Sequence, residues 1–151
     1  MEVSVKKIEA DACLPQYGSL HSAGFDIPCY EDIVIPPHSR IKVRTGIAIG
    51  WSDPTVYLQI QSRSGLFYNQ GISCEGGVID WDYLQEIFVL LQNHTDVTIS
   101  LSRNSRIAQG IFIQQPSINC WKEVNDWISP GRLVIPYSHL LRQGGIGSTG
   151  V

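Results

Sequence analysis

Hydrophobic residues recur at every second position through much of this chain. Ile41, Val43, Thr45, Ile47 and Ile49 alternate with Lys42, Arg44, Gly46 and Ala48, the two-residue period of a strand with one buried face. Trp51-Ser52-Asp53-Pro54 breaks that run, and Val56 to Gln61 alternates again before SRSGL opens a polar, glycine-containing loop. Upstream, Val3 to Ile8 reads as a short strand, and a Gly/Pro/Ser-rich connection leads to FDIPCYEDIVIPP. Pro28, Pro36 and Pro37 exclude helix interiors and central strand positions there, which predicts short edge strands and corners. Downstream, Ile87 to Leu91 is an apolar strand, Asn93 to Asp96 a turn, and Val97, Ile99 and Leu101 alternate with polar neighbours. The turn RNSR leads into IAQGIFI, and WKEVNDW (Trp121 to Trp127) admits a short helix between Pro116 and Pro130. Many short strands with Gly/Pro turns predict an all-β barrel or sandwich, without internal repeats or a dividing linker.

The stretch GGVIDWDYLQEI, Gly76 to Ile87, reads as a β-hairpin tip. Its glycines permit close backbone approach, and Val78 and Ile79 lead to two carboxylates, Asp80 and Asp82, each followed by an aromatic residue. Two readings stand for it: a solvated turn, or a site. The last ten residues, RQGGIGSTGV, carry four glycines and no apolar period, which predicts a mobile tail.

The composition narrows the partners. With 151 residues and 43% hydrophobic content, one domain can bury a core without staples. A formal charge of −3 supplies no basic field, so neither a nucleic-acid polymer nor an anionic membrane surface is expected as a partner. Cys13, Cys29, Cys74 and Cys120 lack zinc-ligand spacing and form no disulfide framework pattern, which points to an intracellular chain. MEVSVKKIEA does not match a signal peptide, and without a basic cluster, cytoplasm and nucleus are both open.

Four segments offer groups suited to phosphate. SRSG (Ser62 to Gly65) presents the Arg63 fork, two hydroxyls and backbone N–H groups at a glycine turn. Gln109, in phase with Ile107 and Ile111, places an amide on an apolar face: a satisfied core glutamine or a ligand contact. GIGSTG is a phosphate-cradling loop or simply a disordered tail. Asp26, after AGF, holds Mg²⁺ through water or serves as a turn carboxylate.

In this order, SAGFDI (Ser22 to Ile27), SRSGL (Ser62 to Leu66), GGVIDWDY (Gly76 to Tyr83), RIAQ (Arg106 to Gln109) and GGIGSTG (Gly144 to Gly150) resemble the five motifs of the trimeric deoxyuridine triphosphatase (dUTPase) family. LPQY and IPPHSRIKVRTGIAI also look like that family, so the resemblance runs along nearly the whole chain. It implies a jelly-roll β-barrel over residues 1–137, with a tail over 138–151 that closes on substrate. The implied activity is hydrolysis of dUTP to dUMP and pyrophosphate, in a homotrimer with shared sites and Mg²⁺ on the triphosphate. Carried over, Asp80 orients and deprotonates the attacking water, and Tyr83 packs under the deoxyribose and excludes a 2′-hydroxyl. Backbone at Gly77, Val78 and Phe88 reads the uracil edge, while Arg63, Ser64, Gly65 and Gln109 bind phosphates. Asp26 hydrogen-bonds waters of the Mg²⁺ shell, and Gly147, Ser148 and Thr149 belong to the tail that closes over the γ-phosphate.

The chain departs from the family pattern in its tail and in the hairpin. Ile146 stands where the family has an aromatic residue over uracil, which removes a stacking contribution of about 0.5–1.5 kcal/mol. Arg142, the tail arginine, is one residue closer to GIGSTG than in the family, and Leu141 takes the expected place. Leu84-Gln85 replaces the usual Arg-Gly after Tyr83, and the segment between Gln109 and the tail is longer than the family norm. An alternative reading is a dUTPase-fold interaction module, because Thr149-Gly150-Val151 is a carboxylate end of the kind PDZ domains capture by strand addition. A third is the related dCTP deaminase class, which needs a hairpin glutamate; Glu75 and Glu86 are the candidates and neither stands at the place of Asp80.

Overall fold

The computed structural model describes residues 1–116 of the chain, and the expected boundary after residue 137 and the helix over Trp121 to Trp127 lie outside them. In chain order the elements are β1 (Val3–Lys7), β2 (Gln16–Tyr17), β3 (Phe25–Pro28), β4 (Ile33–Ile35), β5 (Arg40–Arg44), β6 (Ile47–Trp51) and β7 (Val56–Gln61). They continue with α1 (Ser64–Gln70), β8 (Ile72–Glu75), β9 (Val78–Ile79), β10 (Phe88–Asn93), β11 (Ile99–Leu101) and β12 (Arg106–Gln114). All pairings are antiparallel, in sheets ordered β2-β3-β12-β7-β9, β5-β10-β8, β1-β6 and β4-β11. The all-β expectation holds. The strands are short because glycines and prolines punctuate the sequence, and their inward residues, Ile27, Ile35, Val43, Ile47, Leu58, Ile72, Leu91 and Ile107 among them, build one core.

Four local expectations are corrected. The alternating run from Ile41 to Ile49 is two strands, because Gly46 adopts φ +71°, a left-handed conformation that ends the ladder and sends β5 and β6 to different sheets. Thr45 keeps the alternation going across the break: it is buried, and its hydroxyl donates to the Ile87 carbonyl at 2.7 Å. SRSGL is not a loop. Ser64 begins a seven-residue helix with no buried side chain, too short to leave a periodic signature. β3 is not an edge strand, since it lies between β2 and β12. Pro28 is tolerated there because it closes the strand opposite Arg106, where the register shifts and no regular ladder bond is lost.

The fourth correction concerns Gly76 to Ile87. β8 and β10 pair with each other, but β9 pairs with β7, so the stretch leaves one sheet and joins the edge of another. Gly77 makes this crossing possible: Ile60 N–H donates to its carbonyl at 2.6 Å, and a Cβ at Gly77 would stand 2.0 Å from the Ile60 oxygen. At the far end of β10, Asn93 is fully buried. Its amide nitrogen donates to the Ile35, Pro36 and Val97 carbonyls, and its oxygen accepts from Thr95 N–H and hydroxyl. The Asn93-His94-Thr95 sequence therefore serves as a core joint, with its amide inaccessible to glycosylation.

Candidate active site

Central in the five-stranded sheet, β12 decides which distant residues meet. Gln109 is opposite Asp26 of β3 on one side and opposite Gln61, the end of β7, on the other. Ser62 to Gly65 follow β7 directly, so two neighbouring ladders bring three separated sequence segments together. They line a cleft of about 350 Å³ with Asp26, Arg63, Ser64, Gly65 and Gln109 on its wall and Gly18, Ser22, Ala23 and Gly24 completing it. The size is that of a small-molecule site.

Inside the cleft the polar groups are tied to one another. Arg63 Nε lies 2.7 Å from Asp26 Oδ1, its Nη1 donates to the Arg106 carbonyl at 2.9 Å, and Arg106 Nη1 donates to Asp26 Oδ2 at 3.0 Å. Two guanidiniums thus share one carboxylate, leaving an excess of positive charge suited to an anion. The Gln109 amide nitrogen donates to the Ser62 carbonyl at 2.9 Å, and the residue lines the cleft. Ser64 and Gly65 open α1, whose first internal bond runs from Phe67 N to Arg63 O, so their N–H groups have no partner within the helix.

A second group of residues lies on the 80–87 loop. Asp80 is exposed and Tyr83 is 36% exposed, and neither lines the cleft. Trp81 Nε1 donates to the Trp51 carbonyl at 2.9 Å, Tyr83 N–H to the Asp80 carbonyl at 3.0 Å, and the Tyr83 hydroxyl to the Glu86 carbonyl at 2.9 Å. Val78 is exposed, whereas Phe88 is half-buried with Lys42 Nζ 3.7 Å above its ring. Asp82, with Glu2, Trp51, Trp81 and Leu84, lines a separate groove of about 440 Å³. Sequence reasoning missed Arg44 as a site neighbour; its place in an alternating strand carried no sign that it would meet Glu86. The Glu86 carboxylate accepts from Arg44 Nη2 at 3.1 Å and Gly46 N–H at 2.9 Å, so it is engaged by groups of its own fold.

A family model described as dUTPase matches residues 10–130. The chain belongs to the dUTPase family. Over 149 residues it is 39% identical to the deoxyuridine 5′-triphosphate nucleotidohydrolase of Paramecium bursaria Chlorella virus 1, covering 97% of this chain and 96% of that one. Against the Helicobacter pylori (strain J99) protein of the same name, identity is 35% over 156 residues, with 100% and 98% covered. The fold matches a dUTPase variant of Staphylococcus bacteriophage 80alpha solved with dUpNHpp, at TM-score 0.80 and 20% identity over 99% of both chains. It also matches a dUTPase from phage phi11 of S. aureus described with a structural Mg(II) ion, at TM-score 0.78 and 19% identity over 85% of this chain and 100% of that one. These matches show the jelly-roll-like β fold that the family resemblance implied, and it meets the all-β barrel or sandwich expected from the strand pattern.

For Mg²⁺, the described residues contain no group of three or more metal-ligating side chains. An ion carried on substrate phosphates and retaining its waters would need only one nearby carboxylate. Asp26 fits: a carboxylate has about four acceptor positions, and the two guanidiniums leave capacity for water protons. Arg142, Ile146, Gly147, Ser148, Thr149 and Val151 lie outside the described residues.

Proposed function

We propose that this chain hydrolyses dUTP to dUMP and pyrophosphate by attack of water on the α-phosphorus. The single observation that carries this reading is the cleft, where Asp26, Arg63, Ser64, Gly65 and Gln109 converge from three family motifs on a polar cavity suited to a polyphosphate. Its relatives are deoxyuridine 5′-triphosphate nucleotidohydrolases, which fixes the base and sugar expected of that polyphosphate. Arg63 binds phosphate oxygens with its fork, the Ser64 and Gly65 N–H groups meet the same oxygens, and Gln109 braces the Ser62 carbonyl beneath them. Asp80 orients a water and takes its proton as oxygen attacks phosphorus, while the bond to the leaving pyrophosphate breaks in line. Tyr83 lies under the deoxyribose, where a 2′-hydroxyl meets the ring and finds no partner. Backbone at Gly77, Val78 and Phe88 reads uracil. When bound, Mg²⁺ would supply charge neutralisation on the triphosphate, and Asp26 is the residue that would hold it, through water.

Because Asp80 and Tyr83 do not line the cleft of their own chain, the reading calls for a homotrimer in which one subunit's loop meets another's cleft. For the tail, the family resemblance assigns the base to Ile146 and the γ-phosphate to Ser148 and Thr149. The test is to incubate purified protein with Mg²⁺ and dUTP, UTP, dTTP or dCTP, and to assay pyrophosphate and ammonia, with light scattering for the mass. Pyrophosphate from dUTP alone, lost in Asp80→Asn, supports the proposal. Ammonia from dCTP, or no turnover at high protein concentration, overturns it, the latter in favour of an interaction module ending in Thr149-Gly150-Val151.

A further inference from the structure

The loop carrying Asp80 and Tyr83 belongs to no ladder between Ile79 and Phe88, so discrete contacts must hold it. Its first half is tied to β6 through Trp81 and Trp51. Its second half is held by the β5–β6 turn. Glu86, with a side chain only 12% exposed, accepts from Arg44 Nε at 3.1 Å, Arg44 Nη2 at 3.1 Å and Gly46 N–H at 2.9 Å. The next residue repeats the connection: Ile87 N–H donates to the Ile47 carbonyl at 2.9 Å, and the Ile87 carbonyl accepts from Thr45 Oγ1 at 2.7 Å.

Arg44 is held in turn. Its Nη2 also donates to Glu9 Oε1 at 2.7 Å, and its guanidinium carbon lies 5.3 Å from the centre of the Tyr30 ring. Such a fork, engaged on several sides, loses little further freedom when it binds a carboxylate. The consequence is a fixed main chain at Glu86, and it is the Glu86 carbonyl that receives the Tyr83 phenol. An exposed aromatic side chain otherwise rocks about χ1 on a short timescale. Anchoring the tip of the ring to a stationary acceptor removes that motion.

We propose that Arg44 and Glu86 form a positioning pair that sets the Tyr83 ring and thereby the discrimination between deoxyribo- and ribonucleotides. The inference rests on the functional reading above, in which Tyr83 faces the sugar. Steric exclusion of a hydroxyl works only if the ring cannot yield, so the pair acts on selectivity.

Steady-state kinetics on dUTP and UTP test it. Tyr83→Phe removes the anchored hydroxyl and Glu86→Ala its support, and in both the ratio of kcat/KM for dUTP over UTP falls about tenfold, the reach of one well-placed hydrogen bond. The fall comes from a rise in kcat/KM for UTP. Arg44→Met acts in the same direction, and combining it with Glu86→Ala adds little, because both act through one contact. Glu86→Gln, which keeps an acceptor for Gly46 N–H, restores most of the selectivity. A ratio within twofold of wild type in folded Glu86→Ala, with both nucleotides slowed alike, overturns the proposal as a merely structural contact. Should Glu86→Ala not fold, an unchanged ratio in Tyr83→Phe overturns it equally. Failure of the wild-type protein to release pyrophosphate from dUTP is a different result: it removes the functional reading, and the role of the pair with it.

Discussion

Replacing Gly77 by alanine tests how the site is joined to the core. The added Cβ would lie 2.0 Å from the Ile60 carbonyl oxygen and 2.8 Å from its carbon, both main-chain atoms that no side-chain rotation can move. To bring the first contact to 3.0 Å the two backbones must separate by about 1 Å, which stretches the 2.6 Å bond from Ile60 N–H to Gly77 O beyond hydrogen-bonding range. Ile60 is buried, so its N–H then has no water to replace that partner. An unsatisfied buried donor costs about 1–3 kcal/mol, and unrelieved overpacking costs a similar amount. Since separation relieves one cost by incurring the other, the expected loss is about 1–3 kcal/mol. Urea unfolding of Gly77→Ala and wild type at equal protein concentration measures it, the concentration being matched because the proposed assembly would contribute to apparent stability. Loss of dUTP turnover should accompany it, as Val78 and Asp80 follow directly from the displaced residue. A variant within about 0.5 kcal/mol of wild type and fully active would refute the claim that this close approach holds the loop.

Further outcomes follow from the cleft, the tail and the buried thiols. Asp26→Asn should raise the Mg²⁺ concentration for half-maximal pyrophosphate release by about tenfold, as loss of an outer-shell partner does elsewhere; a magnesium titration of the rate measures it. Gln109→Glu puts a carboxylate against the Ser62 carbonyl and the phosphate site, so KM for dUTP should rise more than about tenfold in initial-rate assays. Ile146→Phe, which supplies the aromatic residue the family has at that position, should lower KM for dUTP by about two- to tenfold. Burial pushes the Cys74 thiol up to about 11 from an ordinary value of 9.0. The unfolded chain therefore releases that proton first, and this contribution to stability is complete below about pH 9 and lost as pH rises through about 11. Urea unfolding across that range should show the decline, with Cys29, whose thiol burial also raises, adding to it, and Cys74→Ala should flatten the profile.

The sequence alone determined the class of fold and the family, and it nominated the polar groups of the site. A two-residue period with prolines and glycines at short intervals admits only short strands, and the order of five motifs identifies the family because each carries its own polar groups. What it could not determine is where a run stops and which segments meet. The alternation through Ile41 to Ile49 looks continuous because Thr45 is buried in phase, and only the φ of Gly46 divides it. Gly76 to Ile87 reads as a hairpin because β-pattern is local, whereas the partner of β9 is β7, earlier in the chain. Asp26, Arg63 and Gln109 could each be nominated from the sequence. That Arg63 and Arg106 share the carboxylate of Asp26 follows from the position of β12 between β3 and β7, a pairing set by the whole sheet. The Arg44–Glu86 pair is the clearest case: two charged residues 42 positions apart, with no motif between them, meet because the β5–β6 turn and the end of the 80–87 loop pack against the same core.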